Sequence, residues 1–95
     1  AKAQFNLAMM YRKGVGVDQD YKEAIRWYKK SANQEHVNAQ YHLAVIYCNG
    51  AGTPKDFKQC SFWAKKAENN GYNVEELWEH YELWKYTENH SERSN

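Results

Sequence analysis

The chain is 95 residues long, so it forms one domain at most, and this size excludes a large multidomain enzyme. Aromatic residues make up 16% of the sequence, which excludes an intrinsically disordered class and predicts a core of aromatic rings packed on the ten Ala. The formal net charge of +1 is unevenly placed: residues 1–71 carry eleven Lys/Arg against six Asp/Glu, and residues 72–95 carry two against six.

The sequence contains an internal repeat of 36 residues. Shifting the chain by that distance aligns Leu with Leu, Tyr with Tyr, Gly with Gly and Trp with Trp. The aligned pairs include Leu7 and Leu43, Tyr11 and Tyr47, Gly14 and Gly50, Gly16 and Gly52, and Trp27 and Trp63. A period of this length is typical of stacked helix pairs, so residues 1–36 and 37–72 are predicted to form two repeats of an all-α solenoid.

Each repeat is predicted to contain two helices, called helix A and helix B. Helix A covers about residues 2–13 and 37–49, and it ends at Gly14 or Gly50, which we expect to have positive φ. Helix B begins at a capping Asp with Glu or Gln three residues later, and it runs to about Asn33 and Asn69. The facing arcs of the two helices should form the core of each repeat, and we expect Ala3, Leu7, Tyr21 and Tyr28 to be among the buried residues.

The last part of the chain departs from the repeat. Residues 73–86 are predicted to form one further helix, starting at Asn73, with an apolar stripe of Val74, Leu77, Trp78, Tyr81 and Trp84. Because this segment does not fit the 36-residue template, we interpret it as a capping helix that closes the open end of a right-handed solenoid. The polar residues 87–95 are predicted to be a flexible tail.

These motifs resemble the Sel1-like repeat family. The first copy contains Ala1-Lys2-Ala3-Gln4, Leu7, Tyr11, Gly14-Val15-Gly16-Val17 and Trp27-Tyr28, and the second copy repeats most of these positions. The resemblance covers residues 1–72. It implies a fold similar to tetratricopeptide repeats and a non-catalytic adaptor that binds other proteins without a cofactor. It also favours a bacterial protein in the periplasm or outside the cell.

The face of helix A that is not part of the predicted core carries apolar residues among polar ones. In an ordinary surface helix, the face away from the core is polar. In a solenoid, helix A lines the concave side, so this face is a candidate surface for a partner protein or peptide. We predict apolar anchors and polar recognition residues on it: Phe5, Asn6, Met9, Arg12, Tyr41, His42 and Val45. The alternative is that these residues pack on a neighbouring repeat or under the last helix.

Other functions are weaker candidates. Glu76, Glu79 and His80 have helical spacing that suits a metal, which leaves open a metal-dependent or hydrolytic enzyme fragment. The lysines of helix B could attract nucleic acid, but they fit a solvated helix face better, and no apolar run is long enough to span a membrane. The chain does not begin with Met, so we expect a fragment, in which the repeats could also be a passive spacer.

Cys48 and Cys60 are the only cysteines, and they are 12 residues apart. Two cysteines without a CxxC motif cannot form a structural zinc site by themselves. Cys60 aligns with Ala24, which predicts a small buried side chain. Relatives that contain disulfides place them across the turn from helix B to helix A, and these two cysteines flank the other loop. We therefore expect two free thiols.

Overall fold

The computed structural model describes residues 2–86, and this part of the chain contains helices and no strands. The helices are α1 (Lys2–Lys13), α2 (Tyr21–Asn33), α3 (Val37–Asn49), α4 (Phe57–Asn69) and α5 (Glu75–His80), followed by a 3₁₀ helix (Leu83–Tyr86). The first four are the predicted helices A and B of the two repeats. The segment 87–95, predicted to be a flexible tail, lies outside the described residues. None of the described helices is long and apolar enough to cross a membrane.

The loop between helix A and helix B closes in the same way in both repeats. The carboxylate of Asp20 accepts a hydrogen bond from the backbone N–H of Glu23 at 3.1 Å, which confirms Asp20 as the cap of α2. The Asp20 N–H in turn donates to the carbonyl of Tyr11 at 2.9 Å, which ties the start of helix B to the end of helix A. In the second repeat the equivalent bonds join Asp56 to Gln59 at 3.1 Å and to Tyr47 at 2.9 Å.

The glycines that end helix A have the predicted left-handed backbone. Gly14 has φ +72° and Gly50 has φ +74°. Their N–H groups donate to the carbonyls of Met10 and Ile46 at 2.7 and 2.8 Å, so the last turn of each helix keeps its hydrogen bonds. Each chain reversal therefore delivers helix B antiparallel to helix A.

The core runs from α1 to the 3₁₀ helix, and within the four repeat helices it consists mainly of alanines packed against a few large side chains. The fully buried alanines are Ala8, Ala24, Ala32, Ala39, Ala44, Ala64 and Ala67. Small residues allow the helix backbones to approach closely, while Tyr28, Leu43 and Trp63 fill the remaining space. This arrangement confirms the prediction of an aromatic core on small residues.

Burial differs between the two repeats at equivalent positions. Ala39 and Leu43 of α3 are fully buried, whereas Ala3 is exposed and Leu7 is partly exposed on α1. The reason is that α3 packs against both α2 and α4, while α1 has one principal neighbour, α2. The prediction that Ala3 and Tyr21 are buried is therefore wrong, and Tyr28 is buried as predicted.

Cys48 and Cys60 form a disulfide, so the prediction of two free thiols is wrong. Cys48 lies in the last turn of α3 and Cys60 in the first turn of α4, and their Cα atoms are 5.4 Å apart. The loop between the two helices reverses the chain and brings these two turns side by side. Both residues are buried, as the alignment of Cys60 with Ala24 predicts.

The segment after α4 is not the continuous helix predicted over 73–86. Asn73 caps a backbone N–H by accepting from Glu75 at 3.0 Å, but α5 has only six residues. Glu82 then adopts a left-handed conformation with φ +50°, which ends the helix and turns the chain into the 3₁₀ helix. Leu83, a residue outside the predicted stripe, is buried after this turn and belongs to the same apolar core as Val74 and Trp78.

Candidate functional site

A row of side-chain rings crosses both repeats on the helix A side of the molecule. We call these rings, together with the side chain of Met9, the aromatic surface. Its residues are Phe5, Met9, His36, Tyr41, His42 and Tyr72. Ring centroids are 5.2 Å apart for Phe5 and His42, 6.2 Å for His42 and Tyr41, and 4.5 Å for Tyr41 and Tyr72. His36 extends the row beside Phe5 at 5.0 Å. All six residues are partly buried, so the row retains accessible surface.

Tyr28 supports this row from below. Its fully buried ring stacks on His42 at 5.6 Å and lies 5.8 Å from Phe5. Its hydroxyl donates to the sulfur of Met9 at 3.1 Å, and burial raises the pKa of Tyr28 above its ordinary value. Tyr28 belongs to α2. It therefore holds side chains of α1 and α3 against α2.

The structure brings together most of the residues that the sequence analysis proposed as the site. Phe5 and Met9 of α1 lie beside His42 of α3, and Tyr41 continues the row. Asn6 is exposed, and Arg12 and Val45 are partly buried. The rings that partly cover Phe5 and Tyr41 are those of Tyr28, His36, His42 and Tyr72, none of which belongs to the C-terminal segment after residue 74.

His36 and Tyr72 also belong to the aromatic surface, although the sequence did not predict them as site residues. Both follow a helix B, and they align with each other in the 36-residue repeat. Tyr72 stacks almost parallel to Tyr41, with an angle of 23° between the ring planes. A comparison of the residues that follow helix B in the two copies would have identified this pair of rings.

Positive charge collects at the α1 end of the aromatic surface. Arg12 and Lys13 occupy the last turn of α1, and an Arg12 nitrogen lies 3.7 Å from the sulfur of Met9. Burial lowers the pKa of His42 below its ordinary value, and the charges of Arg12 and Lys13 and the nearby His36 lower it further. A backbone contact opposes this shift, because the Nδ1 atom of His42 lies 2.7 Å from the carbonyl oxygen of Asn38.

Negative charge collects at the opposite end. A shallow depression there is lined by Tyr72, Asn73, Glu75, Glu76 and Glu79. Glu76 shares this depression with Tyr72, whose ring stacks on Tyr41. Burial raises the pKa of Tyr41, and Tyr72 and the carboxylate of Glu76 raise it further.

The residues of the metal hypothesis are not assembled into a metal site. The His80 ring packs edge-on against Tyr81 at 4.6 Å, whereas Glu76 and Glu79 face the depression. Residues 2–86 contain no group of three or more His, Cys, Asp or Glu side chains placed to hold a metal ion.

The pKa of His42 leads to a prediction about stability and pH. Since the folded state holds this pKa below its ordinary value of 6.5, protonation of His42 favours the unfolded chain. The stabilisation is complete above about pH 6.5 and is lost as the pH falls through the folded-state pKa. We expect urea midpoints to decrease from pH 7.5 to 5, and His42→Gln to flatten this decrease. The same slope in both proteins would contradict the assignment.

Comparison with known proteins places these features in a family. The Sel1 repeat matches residues 1–36 and 37–72. A solved Sel1 repeat protein from Oxalobacter formigenes is similar at 38% identity with a TM-score of 0.70, over 74% of this chain and 29% of that one. No curated protein sequence matches the chain.

A second solved structure extends the likeness to the C-terminal segment. It is c5321, described as a protective antigen present in uropathogenic Escherichia coli strains and displaying an SLR fold. It matches with a TM-score of 0.75 and 28% identity over 99% of this chain and 23% of that one. The chain therefore spans less than a third of either solved protein. Two consecutive repeat matches cover most of its length, and the chain belongs to the Sel1 repeat family.

Proposed function

We propose that the chain is a non-catalytic module that binds a segment of a partner protein on the aromatic surface. Sel1 repeats generally mediate protein–protein interactions, which supports the class of function. The observation that carries the choice of surface is the continuous row from Phe5 through His42 and Tyr41 to Tyr72. Interfaces obtain most of their binding free energy from such aromatic side chains when a partner excludes water from them.

The packing beneath the row favours binding with little reorganisation. Tyr28 holds Phe5, Met9 and His42 by two ring contacts and one hydrogen bond. Side chains that are already ordered lose less conformational entropy when a partner binds. The aromatic surface is therefore pre-organised for a partner, in contrast to the exposed Phe62 of α4, whose ring contacts Trp63 and Lys66, both neighbours on its own helix.

The test uses random dodecapeptides displayed on phage and selected on the purified chain with its disulfide intact. We expect selected peptides to lose at least about tenfold in affinity for Phe5→Ala and for Tyr41→Ala, because each change removes a ring from the aromatic surface. Phe62→Ala is the matched control, since it removes an exposed ring from α4, and it should leave the affinity unchanged.

Two outcomes would contradict this function. Selected peptides that bind Phe5→Ala and Tyr41→Ala as tightly as the original chain would show that another surface binds. Peptides that instead depend on Lys29 and Lys65, with affinity falling steeply as salt rises, would indicate an anionic partner on helix B. Circular dichroism of each variant separates a lost contact from a lost fold.

The cellular compartment of this function remains a prediction. The buried disulfide between Cys48 and Cys60 is of the kind that forms and persists in oxidising compartments. It therefore agrees with the periplasmic or secreted location that the family resemblance favours, and we propose that location for the binding function.

A further inference from the structure

We propose that the aromatic surface selects an extended segment of fixed charge polarity, with an acidic residue at the α1 end, an apolar centre and a basic residue at the α5 end. This inference rests on the proposed binding function and adds the chemistry of the partner to it. The carrying observation is that opposite charges stand at the two ends of one continuous row of rings.

The α1 end has a positive charge that the protein itself does not neutralise. Arg12 forms no ion pair with another described residue, and its guanidinium contacts the neutral sulfur of Met9, at 3.7 Å, and the neutral hydroxyl of Tyr28. Lys13 follows Arg12 in the last turn of α1, and the His36 ring lies 5.0 Å from Phe5 at the same end of the row. A carboxylate of a bound segment would meet this end with favourable charge.

The α5 end has the opposite character. Glu76 and Glu79 line the depression together with Tyr72 and form no ion pair with any residue from 2 to 86. Elsewhere in the described structure, Glu23, Glu68 and Glu82 are each paired with a basic residue three positions away. A Lys or Arg side chain in the depression would lie among the carboxylates of Glu75, Glu76 and Glu79 and beside the Tyr72 ring, which favours cations electrostatically.

The dimensions of the row suit a short extended segment. The three ring-to-ring steps from Phe5 to Tyr72 measure 5.2, 6.2 and 4.5 Å. An extended chain rises ~3.3 Å per residue, so roughly five residues follow these steps and leave the charged residues on either flank. Exchanging the two charged flanks would place like charges together at both ends.

The experiment starts from the peptides selected on the chain. We expect them to share acidic and basic flanks in one order around apolar residues. For one such peptide, exchange of the acidic and basic residues should weaken binding at least about tenfold. Glu76→Gln combined with Glu79→Gln should weaken the original peptide about fivefold or more and should have no effect on a peptide whose basic residue is Gln.

Matched controls separate this inference from the binding function itself. Glu23→Gln removes an acidic group of α2 that pairs with Arg26 and lines neither the aromatic surface nor the depression, and it should not change the affinity. If peptides depend on Tyr41 but the charge exchange and the Glu76, Glu79 double variant have no effect, the charge polarity is wrong and the binding function stands. If no selected peptide depends on Phe5 or Tyr41, both are wrong.

Discussion

Replacing Gly52 by Ala is expected to lower the free energy of unfolding by about 2–4 kcal/mol, from backbone strain and overpacking together. Gly52 has φ +81°, a conformation that strains a residue with a Cβ atom. The added methyl group would overlap the Cβ atom of Tyr21 and lie 3.0 Å from its Cγ and 3.4 Å from its Cα. Tyr21 begins α2, so the loop of the second repeat packs directly on the first repeat.

Gly16→Ala is the matched control for this substitution. Gly16 occupies the same position in the first repeat and has φ +77°, but the nearest atom to an added Cβ is the flexible end of Met10, at 3.6 Å. The control should therefore cost only the backbone strain, about 1 kcal/mol. Urea denaturation of both variants measures the difference. Equal losses would contradict the packing of the Gly52 loop on Tyr21.

Reduction of the disulfide between Cys48 and Cys60 is expected to lower the free energy of unfolding by about 2–3 kcal/mol. The bond joins two residues 12 positions apart and restricts the unfolded chain over the whole loop between α3 and α4. Both cysteines are buried, so the reduced state also keeps two thiols in the core of the second repeat. Urea midpoints with and without a reductant measure the effect.

The variant Cys48→Ala with Cys60→Ala is the control for reduction. It cannot form the bond, so a reductant should not change its midpoint. A mass that stays the same on reduction of the original chain, after unfolding, would show two free thiols. The same midpoint for the oxidised and reduced chains would show that the bond does not stabilise the fold.

The repeat made most of the architecture predictable. Identical residues 36 positions apart placed the ends of four helices, because capping Asp and terminating Gly residues act locally and recur in both copies. The face of helix A that carries Phe5 and Tyr41 was visible for the same reason, since helical periodicity assigns residues to faces without knowledge of their neighbours.

Features that depend on neighbours could not be read from this pattern. The disulfide requires that the last turn of α3 lies beside the first turn of α4, and the spacing of the two cysteines in the sequence does not establish this. The break at Glu82 depends on a left-handed backbone that a non-glycine residue seldom adopts, and it decides that Leu83 is buried. Ala3 is exposed because α1 packs on one side only, a property of its place in the stack.

Binding of a partner segment on the aromatic surface can be tested directly in solution. The most direct measurement is chemical-shift mapping of the isotope-labelled chain during titration with a peptide selected from the displayed library. We predict that the perturbed amides cluster at residues 5–12, 36–45 and 72–79. Perturbation concentrated on the outer face of helix B, around Lys22, Lys29, Lys58 and Lys65, with the aromatic surface unchanged, would contradict binding on the aromatic surface.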